Sequence, residues 1–117
     1  MYEYRGHVRR VHDGDTVELD VDLGMDITRH LPRARLDGLD APELRTEAGI
    51  RSYVALRALA EGVTLTVHTI KLKTLDKERT EKYGRYLVRL VLPSGVDVNA
   101  WLIEQGYARP YTGGARG

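Results

Sequence analysis

Between residues 16 and 23 the chain alternates without a break, with Val17, Leu19, Val21 and Leu23 on one side and Glu18, Asp20 and Asp22 on the other. Successive side chains of a strand point to opposite faces, so a strict period of two fits a strand with one face in a core and one in water. Turn residues bound it on both sides, Asp13-Gly14-Asp15 before and Gly24-Met25-Asp26 after. Such a segment commits the chain to a sheet, and its partners must come from the rest of the sequence.

Four further stretches qualify. Residues 4–11 carry Val8 and Val11 among Arg and His, a looser strand signal. Residues 27–39 read as a third strand, with Pro32 predicting an edge position or a bulge because proline has no N–H for the ladder. Val63, Leu65 and Val67 alternate again in a fourth strand running towards Leu72, and residues 85–92 form a fifth before the turn Pro93-Ser94-Gly95. Thr46 can cap a helix that Glu47 opens and Gly62 ends, although Gly49 weakens its first turn and its apolar positions form no single stripe. A second, shorter helix spans about 98–105, capped by Asp97 and closed at Gly106. Residues 74–83 are strongly charged and read as an exposed loop, and residues 112–117 as a frayed tail. Five short strands with two helices predict an α+β fold, mainly β: a five-stranded Greek-key barrel of the oligonucleotide-binding (OB) kind.

With 117 residues there is material for one core, so residues 1–117 are expected to form one domain. No apolar run approaches the roughly 20 residues of a membrane span. The start has no apolar leader, which predicts a cytoplasmic location unless a signal peptide has been removed. Zero cysteines exclude disulfides and thiolate metal sites, and a formal charge of +1 means that any nucleic-acid contact must come from local clustering.

Three stretches carry chemistry. Asp13-Gly14-Asp15-Thr16 reads either as a hairpin turn or as part of a hard-cation site, since Ca²⁺ takes carboxylate, carbonyl and water oxygens. Two carboxylates suffice for such a site only if solvent and substrate complete the shell. The stretch 35–43 begins with Arg35 inside an apolar strand and ends with Asp40 and Glu43 around Pro42. Arg35 and Asp40, five apart, face opposite sides of an ideal strand and can serve one site only if the chain bends between them, for which Gly38 and Pro42 are available. Otherwise Arg35 is a surface cation and Asp40 a cap. In Tyr83-Gly84-Arg85 the Gly allows close approach and the Arg offers a planar fork for a phosphate, or a solvated charge in a loop. His7, His12, His30 and His68 read as half-exposed strand residues, and Trp101 as a core anchor.

Taken together and in this order, Asp13-Gly14-Asp15-Thr16, Arg35, Asp40-Ala41-Pro42-Glu43 and Tyr83-Gly84-Arg85 resemble the staphylococcal (micrococcal or thermo-) nuclease family. Residues 98–109 are similar to that family's second helix and exit, and the likeness runs over about 4–111. The resemblance implies an OB-fold barrel and Ca²⁺-dependent hydrolysis of phosphodiester bonds in DNA and RNA, preferably single-stranded, to 3′-phosphate ends by a monomer. By motif position it makes Asp15, Asp40 and the backbone carbonyl of Ala41 the metal ligands. It gives Arg35 and Arg85 the scissile phosphate and Glu43 the attacking water. Tyr83 would contact a substrate phosphate and Tyr111 a base. Lys71, Lys73, Lys77 and Lys82 lie along the loop approach and could track a nucleic-acid backbone, or could be solvated loop charges. Ala41 departs from the family's usual Thr, which leaves a carbonyl ligand intact, and the family's third, C-terminal helix is expected to be absent or very short. The alternative is a catalytically silent OB module that binds single-stranded nucleic acid or a protein partner.

Overall fold

The computed structural model describes residues 2–70 and 85–111, the side chains of Tyr2 and Arg85 excepted. Its strands are β1 (Tyr2–Asp13), β2 (Thr16–Asp22), β3 (Thr28–Leu36), β4 (Leu39–Asp40), β5 (Thr64–Ile70), β6 (Arg85–Val91) and β7 (Arg109–Pro110), with helices α1 (Glu47–Ala60) and α2 (Val98–Glu104). β1, β2, β3, β6 and β5 close into a barrel in that order. All neighbours are antiparallel except β3 and β6. This is the expected OB-type barrel, with two helices among the described residues. The charged stretch 74–83, the four lysines of the loop approach, Tyr83 and the tail 112–117 lie outside the described residues.

The alternating segment fills the barrel as its pattern requires, with Val17, Leu19 and Val21 almost completely buried. Leu23, expected on the same face, is 44% exposed. The ladder with β3 ends at the Asp22–Thr28 pair, and Leu23 already belongs to the turn, its N–H bonded to the Ile27 carbonyl at 2.8 Å. It lies beyond the last paired residue of the ladder.

Pro32 sits at a bulge. From Val17 to Leu19 β2 advances two residues while β3 goes from Ala34 to Leu31, so Pro32 and Arg33 oppose Glu18. Leu31 and Ala34, three apart, would face opposite sides of a regular strand; the extra residue turns both into the core. The third strand also ends earlier than expected, at Leu36. Residues Asp37-Gly38 turn the chain, and Leu39–Asp40 pairs instead with Arg109–Pro110.

Helix α1 begins where expected, with the Thr46 hydroxyl accepting from the Gly49 N–H at 2.9 Å. Gly49, a poor helix former, is required here because a Cβ would stand 1.8 Å from the Glu43 carbonyl oxygen. The chain after Pro42 thus rests directly on the helix. The missing stripe is also explained: Leu56 and Ala60 are buried against the barrel, while Ile50 and Val54 are about half exposed. In α2 the Asp97 carboxylate caps the Ala100 N–H at 3.0 Å, and Val98 and Leu102 enter the core. Trp101 is half-buried against that core and stacks on Tyr107. Among the described residues no helix is long and apolar enough to cross a membrane.

Candidate active site

Asp15 lies in the turn between β1 and β2 and is fixed from several directions. Its N–H donates to the Asp13 carboxylate at 3.0 Å, and its carbonyl accepts from the Leu36 N–H at 2.8 Å. Its own carboxylate accepts from the Thr16 hydroxyl and from the Ala41 N–H, both at 3.0 Å. The residue is only 7% exposed. Burial pushes the Asp15 carboxyl above its ordinary value of 3.8, the Ala41 N–H and the Arg35 charge pulling the other way.

Arg35 reaches two carboxylates at once. Its Nη2 donates to Asp40 Oδ1 at 3.0 Å and stands 3.6 Å from Asp15 Oδ2. Gly38 makes this possible: with φ at +84° it takes the left-handed conformation that a side chain disfavours, and the chain reverses enough to present Asp40 to Arg35. The exit strand holds that bend, since the Tyr111 N–H donates to the Gly38 carbonyl at 2.8 Å. Tyr111 also lies beside the site, its ring centroid 5.9 Å from the Arg35 guanidinium carbon. A polar pocket of about 130 Å³ opens between the β1–β2 turn and β3, lined by Asp13, Asp15, Thr16, Arg33 and Arg35.

Glu43 stands apart from that pocket's lining. Its side chain is 70% exposed and accepts from the Arg45 Nε at 2.8 Å. Its backbone is fixed, with the carbonyl accepting from both the Thr46 N–H and the Thr46 hydroxyl. Arg85 opens β6 opposite Arg33 in the parallel register, its side chain lying outside the described residues. The structure therefore brings together Asp15, Arg35, Asp40, the backbone of Ala41 and Tyr111.

All of these residues except Asp15 lie in the stretch that matches a known family. The family model described as Staphylococcal nuclease homologue matches residues 33–116. The chain belongs to that family. Over 109 residues it is 34% identical to an uncharacterized endonuclease of Escherichia coli O157:H7, covering 93% of this chain and 62% of that protein. To Protein ParB of Escherichia coli it is 37% identical over 117 residues, covering 93% of this chain and 58% of that protein. A thermonuclease of Staphylococcus intermedius is 34% identical over 103 residues, 87% of this chain and 56% of that protein. The chain thus spans about six-tenths of the length of these curated relatives.

The donor set of this staphylococcal nuclease homologue fits a hard cation. Asp15 and Asp40 offer only oxygen, their side chains are 10% and 14% exposed, and they share one guanidinium. A second, Arg109, reaches Asp40 only at 4.0 Å. Little-exposed carboxylates that converge on one point suit a divalent cation. Among the described residues no three His, Asp or Glu side chains form a cage.

Asp13, read with Asp15 as either a hairpin turn or part of a hard-cation site, lines the pocket and accepts from the Asp15 N–H. Two site residues had no assigned role from sequence. Arg33 carries a signal in Arg33-Ala34-Arg35, where period two puts both guanidinium groups on one face of β3. Arg109 reaches Asp40 because β7 pairs with β4, which no local pattern announces.

Proposed function

We propose that this chain is a nuclease domain that hydrolyses phosphodiester bonds of DNA and RNA, preferably single-stranded, with Ca²⁺ as cofactor and 3′-phosphate ends as product. One observation carries the reading. Arg35 spends only its Nη2 on Asp40 and Asp15, and among the described residues nothing accepts from its Nε or Nη1. An anchored guanidinium with a free edge is a ready fork for a phosphate.

Asp15, Asp40 and the carbonyl of Ala41 are the residues that would hold Ca²⁺. When bound, the ion supplies Lewis acidity towards a phosphoryl oxygen and offsets the charge added by the nucleophile. Arg35 and Arg85 hold the non-bridging oxygens of the scissile phosphate, stabilising charge that grows in the transition state. A Glu43 carboxylate oxygen takes a proton from the attacking water. The water oxygen bonds to phosphorus as the bond to the 5′-oxygen breaks, and that oxygen leaves with the electron pair and gains a proton. Tyr83 contacts a neighbouring phosphate and Tyr111 offers a ring face to a base. The chain acts as a monomer.

Incubation with labelled single-stranded DNA in Ca²⁺ or in chelator tests this. Cleavage only with Ca²⁺, leaving 3′-phosphate ends, is the expected result. The exposure of Glu43 and its pairing with Arg45 favour a second reading, a silent OB module. Salt-sensitive binding of single strands without cleavage would select that one.

A further inference from the structure

We propose that Arg33 forms a second phosphate subsite, binding the phosphate next to the scissile one and so making the domain prefer polynucleotides to single phosphodiesters. The inference rests on the nuclease reading and extends it to the length of strand that the site grips.

Arg33 is exposed, lines the same pocket as Arg35, and lies two residues before it on the same face of β3. Two residues of strand are about 7 Å, close to the spacing of successive phosphates in an extended nucleic-acid strand. Among the described residues Arg33 makes no ion pair, whereas Arg9, Arg10, Arg35, Arg45, Arg51, Arg57, Arg89 and Arg109 all face a carboxylate; Arg5 and Arg29 make none either, Arg29 donating to the Tyr86 hydroxyl, and neither lines the pocket. The bulge leaves Arg33 across from Glu18, but that carboxylate is taken up by Arg10 and His30. A bulge next to a site commonly re-aims a side chain, and here it sets a guanidinium at the edge of a pocket that also holds Asp13 and Asp15, with no ion pair to either. In the parallel register Arg33 also lies directly opposite Arg85, so the backbone gathers three arginines around one stretch of β3 and β6. A strand of anionic phosphates is the ligand that such a row recognises.

Arg33→Ala and Arg33→Gln are compared with the unchanged protein in two measurements. The first is equilibrium binding of a single-stranded oligonucleotide in chelator at several salt concentrations. Loss of one phosphate contact is expected to weaken binding about tenfold and to flatten the slope of log K against log salt by about 0.7. An unchanged slope and affinity overturn the subsite, whether or not the protein cleaves. The second is the ratio of kcat/KM for that oligonucleotide to kcat/KM for a mononucleotide p-nitrophenyl phosphodiester in Ca²⁺. This ratio is expected to fall about tenfold in both variants, mainly through KM on the oligonucleotide. An equal loss on both substrates overturns the subsite while leaving the nuclease reading standing. An unchanged protein that cleaves neither substrate defeats the nuclease reading, and the binding slope still decides Arg33.

Discussion

Arg35 and Asp40 are five residues apart on what sequence reads as one strand, yet Arg35 Nη2 and Asp40 Oδ1 meet at 3.0 Å. The pair joins the cation proposed to hold the phosphate to a carboxylate proposed to hold the metal. Replacing Arg35 by Lys keeps the charge but loses the planar fork, since Lys offers a point charge. Turnover is expected to fall about 10²–10³-fold, with a melting temperature close to that of the unchanged protein. Glu43→Gln, at an exposed side chain, should leave the fold intact and lower kcat by about 10²–10⁴-fold. Hydrolysis at the unchanged rate in either purified variant would refute the assigned roles.

Gly38 is the hinge on which that pair depends. A Cβ would meet only Arg89 Nη2 at 3.9 Å, so space is not limiting, and the cost of Gly38→Ala comes from its φ of +84°. Holding a side chain in that conformation should cost about 1–2 kcal/mol, read by urea denaturation. If the chain relieves the strain by opening the turn, Asp40 leaves Arg35 and affinity for Ca²⁺ falls as well. An alanine variant with unchanged stability would mean that the turn can form in another way.

Asn99 ties α2 to the same turn. Its side chain, 1% exposed, accepts from the Leu90 N–H and donates to the carbonyls of Asp37 and Val88. In Asn99→Ala the Leu90 N–H and the Asp37 carbonyl lose this partner, at about 1–3 kcal/mol for each buried group left unsatisfied. Asn99→Asp is expected to be worse above the carboxyl pKa, because an ionised oxygen then faces two carbonyls. Thermal melts of both variants at pH 4 and pH 8 would separate the two effects.

Across the barrel Asp20 bonds to His30 at 2.7 Å and to Arg9 at 3.0 Å, while the other His30 ring nitrogen stands 3.1 Å from a Glu18 carboxylate oxygen. The hydrogen bond to His30 first, and the bond and charge of Arg9 after it, hold the Asp20 carboxyl below its ordinary 3.8. A lowered carboxylate stabilises the folded state above 3.8 and loses that contribution as pH falls through its own lower value. Asp20→Asn should therefore be less stable than the unchanged protein at neutral pH and converge with it in the acid limb. The site is solvated, so the difference should be small and should shrink in high salt. Parallel stability curves across the whole range would rule out the linkage.

Most of the barrel was legible because its causes are local. Strict alternation placed Val17, Leu19 and Val21, the missing N–H of Pro32 announced the bulge, and Thr46 and Asp97 marked both helix starts. The demand for a bend between Arg35 and Asp40 was legible too, since strand geometry forbids their meeting otherwise. Gly49 looked like a weakness in α1 because its reason, the Glu43 carbonyl resting on the helix, belongs to a contact and not to propensity.

By itself, then, the sequence determined which segments are strands and helices, where the chain must turn, and which ordered set of charged residues it carries. Tertiary structure alone decided that Leu39–Asp40 pairs with Arg109–Pro110, that the Ala41 N–H holds Asp15, that Leu23 is left outside the core, and that Arg33 reaches the pocket that Asp15 and Arg35 line. Propensity and periodicity act over a few residues. These outcomes depend on which backbone edges, tens of residues apart, are brought close enough to exchange hydrogen bonds when the barrel closes.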